Sequence, residues 1–111
     1  MNTLTPVMLA FLLSAANGLA VDGKVVILSP QSGTTVSQHD KIVLNYEATP
    51  GPDGDHLHLN VDGKRVDVIH PMKGTAEVGT LLPGKHHICL AVNTRGHVPT
   101  GVEGCTDLTS K

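Results

Sequence analysis

The stretch "HLHLNVDGKRVDVI", residues 56–69, decides how the chain is read. Leu57, Leu59 and Val61 alternate with His56, His58 and Asn60, and a period of two sends the two sets to opposite faces of a strand. Asp62-Gly63 follows at once, a pair that tolerates the positive φ angles of a two-residue hairpin turn. Lys64–Ile69 then returns as the partner strand and ends at His70-Pro71.

The same grammar extends outward in both directions. "KVVILS" (24–29), stopped by Pro30, and "KIVLNYEA" (41–48), with Ile42, Leu44 and Tyr46 on one face, precede the hairpin. "TAEVGTL" (75–81), "HICLAV" (87–92) and "CTDLTS" (105–110) follow it. In "HICLAV" the residues Ile88, Leu90 and Val92 point inward, with His87, Cys89 and Ala91 outward. Turn-rich connections separate the runs: "PQSGTTVSQHD" (30–40), "TPGPDGD" (49–55), "LPGKHH" (82–87) and "NTRGHVPTGVEG" (93–104). About seven short strands with no helical period predict an all-β chain folded as a single immunoglobulin-like antiparallel β-sandwich, with a small open barrel as the alternative.

The first twenty residues do not join that pattern. "MNTLTPVMLAFLLSAANGLA" is apolar in its middle, carries no charged side chain and ends Gly-Leu-Ala. It reads as a signal peptide over 1–20, leaving residues 21–111 as the β-sandwich domain in the periplasm or secreted medium. All charged residues lie in that domain, and a net charge of −2 offers no basic footprint for nucleic acid or for an anionic membrane. Phe11 falls in the leader, so Tyr46 is the domain's sole aromatic residue; the scarcity of stacking platforms weighs against sugar or single-strand nucleic-acid binding. The expectation is a monomer whose partner is a metal ion or another exported protein.

Cys89 and Cys105 are the only cysteines, and in an exported chain an even pair reads as a disulfide. They are symmetric about His97, so a hairpin centred there sets them on facing strands.

Seven histidines in so short a chain is an enriched count, and the expected topology gathers several of them. The start of the third strand, the end of the fourth and the loop after the sixth meet at one end of the sandwich. They bring His56 and His58, His70 and Met72, and His97 together. Imidazole with thioether suits copper; imidazole with carboxylates such as Asp53 or Asp55 suits zinc. Each residue also has a plainer reading. His56 and His58 occupy the solvent-facing half of a strand, about 7 Å apart, and would share an ion only with help from elsewhere. His97 is in a Gly/Pro loop, His70 closes a strand, and Met72 could anchor a loop. His86 shares the inward parity of Ile88 and Leu90 and fits a hydrogen-bonded structural role at the opposite end. A structural polar network in a protein-interaction module, or a set of histidines titrating together below neutral pH, therefore stand beside the metal reading.

No nucleophile elbow, His-Glu-x-x-His helix or phosphate loop is present, so a non-enzyme is expected. Cys89 near His86 or His87 imitates a thiol–imidazole pair, but the second cysteine favours a disulfide.

"GDHLHLNVDG", then "LLPGKHHICLAV", then "RGHVP" resembles small exported bacterial immunoglobulin-like domains of uncharacterised function. Their pattern is Gly-x-His-x-His-(x)3-Asp, Leu-x-Pro-Gly-x-His and a loop histidine, with a Pro-x-x-Gly-x-x-Val opening similar to "SPQSGTTV". The matching positions are Gly54, His56, His58, Asp62, Pro83, Gly84, His86 and His97. The resemblance implies an exported sandwich and adds His86 to the candidate ligands, against the topology that sends it to the far end.

Overall fold

The computed structural model describes residues 23–111; the expected signal peptide lies outside the described residues. Eight strands follow in order: β1 Lys24–Ser29, β2 Thr35–Val36, β3 Ile42–Thr49, β4 His56–Val61, β5 Lys64–Ile69, β6 Lys73–Gly79, β7 Gly84–Asn93 and β8 Pro99–Ser110. They form a three-stranded sheet, β1-β3-β6, and a five-stranded sheet, β2-β8-β7-β4-β5. This is an immunoglobulin-like β-sandwich, as the strand pattern predicts.

Alternation builds the core. Leu44 and Tyr46 of β3 face Leu57 and Leu59 of β4, Ile88, Leu90 and Val92 of β7, and Leu108 of β8, all essentially without solvent contact. Burying each such side chain contributes on the order of 1.5–3 kcal/mol, which lets a domain with one aromatic residue hold together. That residue also has a polar duty: the Tyr46 hydroxyl donates to the Pro71 carbonyl at 2.7 Å, pinning the β5–β6 connection just beyond His70. Burial pushes the Tyr46 phenol up from its ordinary value.

Two elements escaped the sequence pattern. β2 is a two-residue strand inside the turn-rich 30–40 segment, running parallel to the end of β8. β8 begins at Pro99, whereas "NTRGHVPTGVEG" reads as loop up to Gly104. Pairing with β7 overrides the poor strand propensity of these residues, with Ala91 opposite Glu103 and Asn93 opposite Pro99. Gly104 belongs there because β8 passes β1 so closely that a Cβ would collide with the Val25 carbonyl.

The β4–β5 turn is the expected one, with Asp62 at φ 52° and Gly63 at φ 85°. Cys89 and Cys105 are directly opposed on β7 and β8 and form a disulfide, their Cα atoms 4.0 Å apart. Closing a 16-residue separation contributes about 3 kcal/mol in the chain-entropy picture.

Gly54, at the mouth of β4, has no room for a side chain. A Cβ there would lie 2.5 Å from the Pro50 carbonyl oxygen and 2.7 Å from Cγ1 of the buried Val92. Gly54→Ala should therefore destabilise the domain by about 1–3 kcal/mol, read as a lower urea midpoint at unchanged slope. An unchanged midpoint would show that the Pro50 loop yields freely.

Candidate metal centre

β4 is a central strand, paired to β7 on one edge and β5 on the other. Its leucines fill the core, and its histidines take the opposite face. That face is not solvent-exposed as its alternation predicts: His56 is 2% and His58 8% accessible. The small Ala91 stands opposite His58, and the β7–β8 hairpin tip brings the His97 ring over both.

The three imidazoles converge at their tips. His56 Nε2 lies 3.0 Å from His58 Nε2, and His97 Nδ1 lies 3.2 Å from the first and 3.1 Å from the second. Strand geometry separates the Cβ atoms of residues i and i+2 by roughly 7 Å, yet the rings lean together enough to close the gap. An ion about 2.0–2.1 Å from each nitrogen would cap this triangle about 1 Å out of its plane, a facial set with the remaining positions open.

Proton accounting makes the triangle distinctive. A carboxylate only accepts, so the 2.9 Å contact between His56 Nδ1 and Asp55 Oδ2 puts the proton on Nδ1 and leaves Nε2 with a lone pair. An imidazole nitrogen either donates or accepts, never both. Three mutual contacts among three such atoms cannot all pair a donor with an acceptor, whichever tautomers are chosen. A cation placed against all three lone pairs resolves the conflict. Burial, followed by the neighbouring His56, Arg65 and His97, pushes His58 below its ordinary value of 6.5 and keeps it a neutral donor of electrons. The hydrogen bond from His56 leads in holding Asp55 below the usual carboxylate range. Asp55 thus fixes the tautomer of His56.

His97 reaches the site through a strained turn. His97 N–H donates to the Thr94 carbonyl at 2.9 Å and Thr94 N–H to the Val98 carbonyl at 2.9 Å, closing a three-residue hairpin loop. The last loop position is left-handed, φ 66°, where glycine is usual. Histidine there costs on the order of 1 kcal/mol.

The other candidates divide. His70 is exposed at the rim, its ring centroid 5.7 Å from that of His56. Met72 is half-buried and packs against the hydrophobic core. His86 lies apart: Nδ1 donates to Asp62 Oδ2 at 2.6 Å and Nε2 to the Leu82 carbonyl at 2.7 Å. Both nitrogens carry protons, neither offers a lone pair, and the Asp62 hydrogen bond leads in raising His86 above its ordinary value. Asp62 also accepts from His87 N–H at 2.8 Å, so it fastens the β4–β5 turn to β7. Asn93, which the sequence did not single out, stands opposite His56 on β4; its side chain is buried, and Oδ1 has no hydrogen-bond partner among the described residues.

No family model matches the sequence, and no curated protein does, so the likeness to exported bacterial domains is carried by the motifs alone. Solved structures do match in fold. The fibronectin(III)-like modules of Clostridium thermocellum CbhA superpose with a TM-score of 0.63 at 13% identity, over 78% of this chain and 95% of theirs. A lytic polysaccharide monooxygenase of Jonesia denitrificans gives 0.51 at 18% identity, over 74% of this chain and 58% of that one. Both likenesses establish the sandwich and nothing finer.

The Asp62–His86 pair sets a pH dependence. His86, raised, stabilises the fold below pH 6.5 and loses that contribution as pH climbs through its raised value. Asp62, lowered chiefly by the His87 backbone N–H, contributes above pH 3.8 and fails only as pH falls through its lowered value. Since Asp62 is half exposed, screening holds the pair to about 1 kcal/mol. Asp62→Asn should cost about that much near pH 5 and clearly less near pH 9, measured by thermal unfolding. An equal loss at both pH values would contradict the assignment.

Proposed function

We propose that the protein is an exported β-sandwich that binds one divalent transition-metal ion through His56, His58 and His97, for sequestration or delivery. The observation that carries this reading is the triangle of nitrogens, whose contacts no arrangement of protons satisfies together. Asn93, opposite His56 in the ladder, leaves a buried amide oxygen unpaired among the described residues. His70 stands at the rim as an additional imidazole.

The three converging donors are all imidazoles, which suit Cu(II) and Zn(II) alike. The general affinity order then favours copper over zinc at equal availability. The competing reading, a protein-interaction module with structural histidines, draws on the far end, where His86 is fully hydrogen-bonded within the fold.

Titration of the protein with Cu(II) and with Zn(II) should show one-to-one binding. His56→Ala/His58→Ala should weaken it by more than about 100-fold, and Asp55→Asn by about 10–100-fold through loss of the oriented tautomer. Affinity should fall as pH drops through the lowered value of His58, because that ligand must be unprotonated. Unchanged affinity in the double variant would sink the proposal.

His97→Gly separates the two readings. A glycine relieves the left-handed strain, so the metal-free protein should be as stable as the parent or more so by up to about 1 kcal/mol, while stabilisation by added metal disappears. If His97 belongs to a structural network, the same substitution lowers the metal-free midpoint instead.

A further inference from the structure

The Cys89–Cys105 disulfide has a neighbour that a purely structural bridge does not need. His87 Nε2 lies 3.2 Å from Cys89 Sγ, and its Nδ1 donates to Asp107 Oδ1 at 2.6 Å. His87 and Asp107 are directly opposed on β7 and β8, two pairs along the ladder from the bridge and on the same face of the sheet. The ring is asymmetric toward one sulfur: its ligand nitrogen and both sulfurs lie within 4.8 Å of one another, and the shortest contact is to Cys89. Cys89 is buried, while Cys105 is partly exposed. A surface groove of about 470 Å³, lined in part by Lys85, His87, Asp107 and Thr109, adjoins the dyad.

We propose that this bridge is a thiol–disulfide exchange centre that accepts electrons from an exported thiol, with His87 receiving the leaving sulfur and Asp107 orienting His87. An incoming thiolate attacks Cys105 Sγ, the more accessible sulfur. The Cys89–Cys105 bond breaks, its electron pair passes to Cys89 Sγ, and a mixed disulfide joins Cys105 to the incoming thiol. The new Cys89 thiolate faces the His87 imidazolium and takes the Nε2 proton or remains as an ion pair. A second thiolate then attacks the incoming group's sulfur, releasing Cys105 as thiolate. Two thiols become one disulfide, and the chain's disulfide becomes two thiols. Stabilising the leaving thiolate is what quickens such exchange.

Carboxylates face His87 from the packed elements: Asp107 and Glu103 on β8, and Asp62 from the β4–β5 turn. The Asp107 hydrogen bond leads in raising His87 above its ordinary value, which favours the imidazolium. Of the proposed metal ligands, His56 and His58 lie on β4, and His97 lies at the tip of the same β7–β8 hairpin, beyond the bridge.

The test is the rate at which dithiothreitol reduces the bridge in the folded, metal-free protein, compared with His87→Asn and Asp107→Asn. Both residues are largely exposed, and thermal unfolding verifies that each variant is folded. The parent should be reduced roughly tenfold faster than His87→Asn in neutral buffer, with Asp107→Asn between them, and the ratio should fall toward one in alkaline buffer as His87 loses its proton. Equal rates near neutral pH in either folded variant, or a ratio independent of pH, overturn the proposal.

Discussion

Everything at the candidate centre depends on β4 being buried on both faces. A strand paired on each edge has no spare backbone hydrogen bonds, so its position is fixed to within the pleat. Leu57 and Leu59 then lock its register, because a slip of one residue would drive both leucines out of the core and both histidines into it. The hydrophobic core thereby aims two imidazoles at one point without contributing an atom to it.

The two ends of the sandwich use the same residue type in opposite ways, and the difference is the number of acceptors each ring meets. His56 meets one, Asp55, and keeps a lone pair. His86 meets two, Asp62 and the Leu82 carbonyl, and keeps none. Local sequence resembles a ligand motif in both cases. Whether a histidine keeps a lone pair or fastens a turn is decided by what stands on its second nitrogen, and that partner can come from a residue adjacent in sequence or one twenty-four positions away.

This is also where the legibility of the sequence ends. Alternation and an Asp-Gly turn suffice for the sandwich, and the cysteine pair suffices for its cross-strand bridge, because these depend on near neighbours or on simple symmetry. The meeting of His56, His58 and His97 is likewise foreshadowed by topology. Their burial is not: alternation says which face a side chain takes, and only the tertiary fold says that the β7–β8 tip bends back over that face. Met72, which the sequence allows as a loop anchor, packs against the core. Asn93 gave no signal, its interest arising only from the register that sets it against His56.

The β7–β8 hairpin joins the two candidate sites of the molecule. Its tip carries His97, its middle carries the disulfide, and a register irregularity between Ala91 and Asn93 separates them. Such an irregularity bends a strand, and here it lies between the bridge and the tip that folds back. Cys89 opposite Cys105 holds the pairing on one side of that bend, so the bend and the left-handed His97 operate from a fixed base. A hairpin free to slide would trade the strain at His97 for a relaxed turn and carry the imidazole away from β4. Covalent closure sixteen residues wide is what allows a strained tip to persist at the end of a domain with so small a core.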